Sequence, residues 1–310
     1  MYIEQAYKGK YDWWRYLFTF IIFFFTQYFT LVIPVKIYAR LQGISEELVT
    51  EFFNTLNPEK MGLSLNEGLI FLLLPMSATF FTLSLSMRYI HELPWRTIFT
   101  SFKSFRWKNF FTGLLMWTVV LLSIELINYL INPGIYEFTY HPKQFFPLLF
   151  IALVLVPFQA GAEELLCRGN LLQAFGLLSR SRFLALIITA AIFGFMHFSN
   201  PEVDSFGFWK SMSYYIGFGL FMGILTIMDG GLELPIAVHT ANNLHGIVLV
   251  SYNGSVLNTD ALFRLSEYNL SAMIVAFFFS TLLFLIVSKR LFRWKSFDAL
   301  FKKVQAPNSN

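Results

Sequence analysis

Charged side chains are scarce in this 310-residue chain. Asp, Glu, Lys and Arg together make up 14% of it, whereas 56% of the residues are hydrophobic and phenylalanine alone occurs 38 times. Water-soluble domains carry about 25% charged residues. The composition therefore argues against a soluble domain and indicates a protein that lies in lipid.

Several other features are missing. The single cysteine, Cys167, excludes an intrachain disulfide. There is no inverted repeat of the kind found in many transporters, and no linker that would mark a second domain. The net charge of +4 is explained by basic loops beside anionic lipid headgroups, so it gives no reason to expect nucleic acid as a partner.

Long runs of uncharged residues make up much of the sequence. No charged residue lies between Arg15 and Lys36, and about 20 apolar residues suffice to cross a bilayer. This run is too long for a signal-peptide core and lacks a cleavage site, so we expect it to be retained. Further apolar windows lie at residues 68–87, 110–131, 145–162, 183–198, 211–228, 232–252 and 269–288. The sequence thus predicts an all-α integral membrane protein of about eight transmembrane helices that form a bundle around an internal polar cavity.

The positions of Lys and Arg predict the orientation. With eight spans and a cytoplasmic N-terminus, the inside segments hold far more of the 23 Lys and Arg residues than the outside segments do. Because basic loops resist translocation, we expect both termini to be cytoplasmic.

The chain divides into three regions. Residues 1–140 carry about three spans, residues 145–250 carry nearly all the unusual polar residues, and residues 255–310 form the last span and a basic cytoplasmic tail. The end of this tail, "KKVQAPNSN", is expected to be disordered.

The segment "GAEELLCRGN" places charge in an apolar background. Glu164 and Arg168 are four residues apart and lie on one helical face, where they can pair. Glu163 points about 100° away and, in a low-dielectric setting, can act as a general base. A purely structural ion pair at a helix end explains this segment about as well. Pro157 and Gly161 leave open whether the helix is straight or kinked.

Two further segments supply polar partners. His197 lies one turn after Phe193, and counting through the connection "LLSRSRF" brings it level with Glu163 in an antiparallel hairpin. His239 and Asn243 are four residues apart in "AVHTANNLHG" and aim two donors in one direction. An interfacial histidine, or hydrogen bonds that simply join helices, are the alternatives. Taken together, the three segments suit hydrolysis by an activated water, with donors for an oxyanion.

The three motifs in this order resemble the CPBP family of intramembrane proteases, also called Abi, which includes the type II CAAX prenyl proteases and bacteriocin-processing proteins. They are E-E-x-x-x-R (Glu163, Glu164, Arg168), F-x-x-x-H (Phe193, His197) and H-x-x-x-N (His239, Asn243). The resemblance covers residues 145–250. It implies that Glu163 activates the water, that His197 assists, and that His239 with Asn243 forms the oxyanion site. Glu164 and Arg168 would then hold the helix in register.

The resemblance leaves the cofactor open. Glu163, His197 and His239 can supply three zinc ligands with an open fourth position, yet the chain has no H-E-x-x-H motif. A metal-free glutamate mechanism is equally compatible. Cys167 is not expected to be a nucleophile, because acidic and apolar surroundings disfavour the thiolate.

We therefore expect an intramembrane endopeptidase of a bacterial plasma membrane, with membrane lipids and a peptide or protein substrate that enters from the bilayer as partners. The alternatives are a catalytically silent scaffold or a bacteriocin-immunity or regulatory protein of the same family. A transporter is a third class, since polar clusters at membrane depth also mark ion paths.

Overall fold

A computed structural model describes residues 1–252 and 254–306, which are almost entirely helical. Eleven α-helices lie in this part of the chain. They are α1 Trp13–Gln42, α2 Glu46–Thr55, α3 Leu65–Tyr89, α4 Trp107–Ile131, α5 Pro142–Glu164, α6 Leu172–Ser179, α7 Arg182–Phe195, α8 Pro201–Phe206, α9 Phe208–Asp229, α10 Glu233–Leu244 and α11 Leu270–Leu291.

Six helical segments of the described chain are long and apolar enough to cross a membrane: α1, α3, α4, the continuous segment Pro142–Ser179, α9 and α11. The remaining two of the predicted windows coincide with shorter helices, α7 with 14 residues and α10 with 12. The all-α, multi-pass membrane architecture is confirmed, and the count of about eight spans holds only if these two short helices are included.

The boundaries of several helices follow from local chemistry. Ser64 and Glu67 form a reciprocal capping box at the start of α3, in which each side chain accepts the other residue's backbone N–H. Ser181 accepts the backbone N–H of Leu184 and so begins α7. Gly230 ends α9 with φ of 73°, a left-handed conformation that glycine adopts without strain. Because of this sharp end, α10 can start three residues later.

The helix that carries the acidic pair is not broken at Pro157 or Gly161. It continues to Ser179, and its irregularity lies further along, at a π-helical segment, Leu165–Leu171, between α5 and α6. Short π segments are rare and are often found at functional sites. Glu163 and Glu164 lie immediately before this segment.

The short helix α10 is in the middle of the bundle. Its residues from Glu233 to Ala241 are all buried, and it packs on α4, α5 and α9. Its first turn is anchored by Arg106, whose guanidinium lies 2.7 Å from Glu233 Oε2 and 2.5 Å from Asp229 Oδ2. This ion-pair network fixes the height of α10, and with it the position of His239.

Helices α7 and α9 approach each other closely. A side chain at Gly219 would bring a Cβ atom to 3.0 Å from the carbonyl oxygen of Ala190 and 3.2 Å from Cβ of Phe193. Glycine at this position therefore lets the two backbones come together next to the second motif.

A small three-stranded sheet lies at the end of the bundle where α7 ends. Its strands are β1 Tyr136–Phe138, β2 Val250–Tyr252 and β3 Phe263–Leu265. β3 lies in the centre, antiparallel to β1 and parallel to β2. Three-residue strands leave little periodicity in a sequence, and none of them was predicted.

The N-terminal and C-terminal segments meet at the opposite end, around the connection between α6 and α7. Glu4 pairs there with the guanidinium of Arg182. The expectation that the "KKVQAPNSN" tail is disordered is wrong for its first part, because Val304 is buried and its N–H donates to the carbonyl oxygen of Arg180 at 3.0 Å. Residues 307–310 of that tail lie outside the described residues.

Candidate active site

Glu164 connects the first motif to the third. Its Oε1 atom accepts from Arg168 Nη1 at 2.9 Å and lies 2.8 Å from His239 Nδ1. All three side chains are buried. The predicted pairing of Glu164 with Arg168 is confirmed, and the carboxylate also orients the imidazole of α10.

Arg168 holds more than this carboxylate. Its Nη2 donates to the carbonyl oxygen of Gly219 at 2.8 Å, and the guanidinium carbon lies 4.7 Å from the centre of the Phe193 ring. A cation over an aromatic face is attracted by the ring electrons. Arg168 thus joins its own helix to α7 and α9, which explains how a fully buried arginine is accommodated.

Glu163 lies beside both histidines. Its Oε2 atom is 3.8 Å from His197 Nε2 and 3.8 Å from His239 Nε2. Its other oxygen, Oε1, accepts a hydrogen bond from Gln159. Oε2 is enclosed and has no hydrogen-bond partner within the described chain. The counting argument that placed Glu163 level with His197 is therefore correct.

The two imidazoles are oriented in the same sense. His197 Nδ1 lies 2.8 Å from the carbonyl oxygen of Phe193, which can only accept, so this nitrogen is the donor. His239 Nδ1 faces the carboxylate of Glu164 and donates as well. In neutral rings with this tautomer, both Nε2 atoms carry a lone pair. Glu163 Oε2 therefore lies 3.8 Å from each of two acceptor nitrogens, and a water placed there can donate one O–H to Oε2 and the other to one of these nitrogens.

Sequence analysis missed Gln159. Its Oε1 accepts from Asn243 Nδ2 at 2.8 Å, and its Nε2 donates to Glu163. The amide therefore bridges the proposed base and the last residue of the third motif. A sequence signal was present, because Gln159 is an isolated polar residue in an apolar run. It precedes Glu163 by four residues and therefore lies on the same face of the helix.

These side chains line a cavity of about 880 Å³. It extends from Glu163 towards the loops at the end of the bundle that carries the small sheet. Residues of α1 also line it, among them Phe24 and Tyr28, whose side chains are about half exposed on the outer surface of the bundle. The cavity is therefore adjacent both to the lipid-facing surface and to the loops.

The residues do not form a ready metal site. Within residues 1–252 and 254–306, no group of three or more His, Cys, Asp or Glu side chains is arranged to hold a metal ion. The three atoms suggested as zinc ligands are Glu163 Oε2 and the Nε2 atoms of the two histidines. Glu163 Oε2 lies 3.8 Å from each Nε2 atom. The mechanism proposed below involves no metal ion.

Every residue of the predicted site is brought together, whereas Cys167 and two histidines outside the three motifs make other contacts. Cys167 is fully buried in the π-helical segment. His245 also lines the cavity, but it faces Glu125 at 3.2 Å. His91 lies at the end of the bundle with the N-terminal segment, and its Nδ1 faces the carbonyl oxygen of Lys10 at 3.1 Å.

Comparison with known proteins gives a similar protein and a family match. The chain is 34% identical over 173 residues to YyaK, an uncharacterized protein of Bacillus subtilis strain 168. The match covers 56% of this chain and 58% of that protein, so less than two thirds of the relative is spanned. No solved structure matches the chain significantly. Residues 142–245, the segment that carries all three motifs, match the family model described as type II CAAX prenyl endopeptidase Rce1-like, so over this segment the chain is similar to that family.

Proposed function

We propose that the protein is an intramembrane endopeptidase that hydrolyses a peptide bond of a membrane-associated protein or peptide by means of a water activated by Glu163. The observation that carries this proposal is the convergence of Glu163 Oε2 with the Nε2 atoms of His197 and His239, at 3.8 Å each. The Rce1-like match supports a peptidase. We also propose that the substrate is membrane-associated and that the protein lies in a bacterial plasma membrane.

The first step is proton abstraction. A water held between Glu163 Oε2 and His197 Nε2 gives one proton to the carboxylate, and its oxygen attacks the carbonyl carbon of the substrate. Gln159 donates to the other carboxylate oxygen, so Oε2 stays directed at the water. The C–N bond then breaks, and the proton held by Glu163 passes to the leaving amine.

The second requirement is a donor for the oxyanion of the tetrahedral intermediate. Asn243 uses one N–H on Gln159, which leaves its second N–H for the substrate. His239 supplies a further donor when its Nε2 is protonated, because Glu164 next to Nδ1 then balances the positive charge. Arg168 keeps Glu164 in position for this role.

The test is cleavage of quenched fluorescent peptides by the purified full-length protein in lipid nanodiscs. We expect Glu163→Gln and His197→Ala each to lower kcat by about 10²–10⁴, which is the range of a general base. The exposed residue Glu137 provides a matched control, since Glu137→Gln makes the same chemical change far from the cavity. Equal activity of all these variants would contradict the proposal and favour a catalytically silent scaffold or an immunity protein.

The zinc alternative has its own readout. Metal content measured on purified wild-type protein and on the His239→Ala variant distinguishes the two cases. Stoichiometric zinc in the wild type that is lost in the variant would support a metalloprotease. Proton or solute flux in proteoliposomes, abolished by Glu163→Gln, would instead support a transporter.

A further inference from the structure

The cavity is strongly one-sided in charge. Three carboxylates line it, those of Glu125, Glu163 and Glu202, and no Lys or Arg is found among the described residues that line it. Glu125 has a partner for each oxygen, because it accepts from Tyr136 and faces His245. Glu163 accepts from Gln159 through one oxygen, and its other oxygen faces the two motif histidines.

Glu202 also has an oxygen without a hydrogen-bond donor, and the proposed mechanism does not use it. It lies in α8, outside the three motifs, and is only 8% exposed. Its Oε1 accepts the backbone N–H of Val256 at 3.0 Å, but its Oε2 is enclosed and has no hydrogen-bond donor in the described part of the chain. Burial raises the pKa of the Glu202 carboxyl above its usual range, against the opposing effects of the Val256 N–H and of the nearby His197 and Ser255 side chains. A buried carboxylate oxygen without a donor is costly, and a cation at this point would remove the cost.

Aromatic rings surround this part of the cavity. Tyr215 stacks on the imidazole of His197, with ring centres 4.5 Å apart. Tyr252 and Tyr268 stack on each other at 4.0 Å and 8°, and all three tyrosines line the cavity. The faces of tyrosine rings attract ammonium and guanidinium groups. Tyr215 also places this region directly beside the proposed catalytic histidine.

We propose that Glu202, together with Tyr215, Tyr252 and Tyr268, forms a subsite that binds a lysine or arginine side chain of the peptide substrate. The inference rests on the proposed peptidase function and names the substrate chemistry. The long aliphatic stem of either side chain suits an apolar, aromatic cavity, and its charged head suits the free oxygen of Glu202. A neutral side chain of the same length would leave that oxygen without a partner.

The experiment is a positional-scanning library of quenched peptides in which each position carries lysine or 2-aminoheptanoic acid, whose neutral side chain has the same length. The full-length protein in nanodiscs is assayed for kcat/KM on both members of each pair. At one position we expect the wild type to prefer lysine by about tenfold, which corresponds to about 1.4 kcal/mol. In Glu202→Gln this preference should fall close to one. Because the preference is a ratio measured on a single preparation, it does not depend on the folded fraction of the variant.

Two further variants sharpen the result. Glu125→Gln removes a carboxylate from the same cavity whose oxygens already have partners, so it should keep the lysine preference. Glu202→Lys should reverse the preference, so that a glutamate at the same position is cleaved better than lysine. A wild-type ratio near one at every position, or a preference that survives Glu202→Gln, overturns the subsite while leaving the peptidase function intact. Failure of the wild type to cleave any library member contradicts the proposed function itself, and the subsite with it.

Discussion

Asn243 Nδ2 donates to Gln159 Oε1 at 2.8 Å, and the same Gln159 amide donates to Glu163. The proposed base on α5 and the proposed oxyanion donor on α10 are thus connected through one side chain. Gln159 fixes the amide orientation of Asn243 and the carboxylate orientation of Glu163 at the same time. It is a positioning residue, because it acts on the substrate only through these two neighbours.

Replacing Gln159 should therefore impair catalysis. We expect Gln159→Leu to lower kcat by about 10²-fold, since misplaced reacting groups cost rate of this order. The variant should also melt at a lower temperature, because the buried carboxylate of Glu163 loses its donor, so kcat is measured well below that temperature. Gln27 provides a matched control, because it is an amide on α1 that lines the same cavity and donates to Met76. A Gln27→Leu variant with an equal loss of kcat would contradict the role assigned to Gln159.

Arg168 is expected to dominate the stability of the site region. Arg168→Met leaves Glu164 buried without its cation, and removal of one partner of a buried pair typically costs about 3–5 kcal/mol. The double variant Glu164→Gln, Arg168→Met should recover part of this loss, because no charge is then left uncompensated. Thermal unfolding in detergent measures the stability of the single and the double variant.

An exposed pair provides the comparison for Arg168. Lys60 and Glu51 are 2.6 Å apart and more than 40% exposed, so Lys60→Met should lower the melting temperature far less than Arg168→Met does. A double variant that melts no higher than Arg168→Met alone would show that Arg168 acts mainly through Gly219 and Phe193.

The burial of His91 should make the folded protein less stable in acid. It lies outside the membrane-spanning helices, and burial lowers its pKa from 6.5 to about 4. The unfolded chain binds a proton at this residue below about pH 6.5, whereas the folded chain does not until about pH 4. Stability from the neutral imidazole is therefore present above about pH 6.5 and is lost as the pH falls towards 4, by up to about 3 kcal/mol.

The measurement is the melting temperature between pH 7.5 and 4. In His91→Asn the amide can still donate to the Lys10 carbonyl but does not titrate, so the acid-induced decrease should be smaller than in the wild type. The exposed residue His141 provides the control, since His141→Asn should retain the wild-type decrease. An unchanged decrease in His91→Asn would assign the acid sensitivity to other groups.

The orientation predicted from the basic residues can be tested through the single cysteine. Cys167 is buried, so a Cys167→Ala background carries only the cysteines that are introduced. Ser104 and Ser266 are both exposed and lie on loops at opposite ends of the bundle. An impermeant maleimide added to intact cells should label Ser266→Cys and leave Ser104→Cys unlabelled until the membrane is opened. The reverse pattern would place the termini outside the cytoplasm.

Much of the candidate site could be predicted because it depends on local geometry. The pairing of Glu164 with Arg168 follows from a spacing of four residues. The position of His197 beside Glu163 follows from counting residues through the short turn between the two antiparallel helices. The contact between Gln159 and Asn243 depends instead on how α5 and α10 pack, which no spacing in the sequence encodes. Glu202 was missed for the same reason, because it reaches the cavity through a loop-borne helix of six residues.

Parts of the fold were less predictable. The π-helical segment after Glu164 has no compositional signature, and the sequence left open whether the helix is kinked at Pro157 or Gly161, where the structure shows it to be continuous. The order of Val304 depends on a pocket formed by distant elements, including Ile3, Leu172 and Ala185. An apolar residue in a polar tail gave little warning of this burial.

Helix α7, which ends two residues before His197, and helix α10, which carries His239, are short, and this bears on where the proposed cleavage takes place. With 14 and 12 residues they extend over about 21 and 18 Å, whereas the hydrocarbon layer is about 30 Å thick. Neither helix fills that thickness, so the reacting groups are reached through polar loops at one end of the cavity. A substrate would not need to unwind a spanning helix at its midpoint. The bond that is cleaved is therefore expected in a juxtamembrane stretch, where an extended backbone is already accessible.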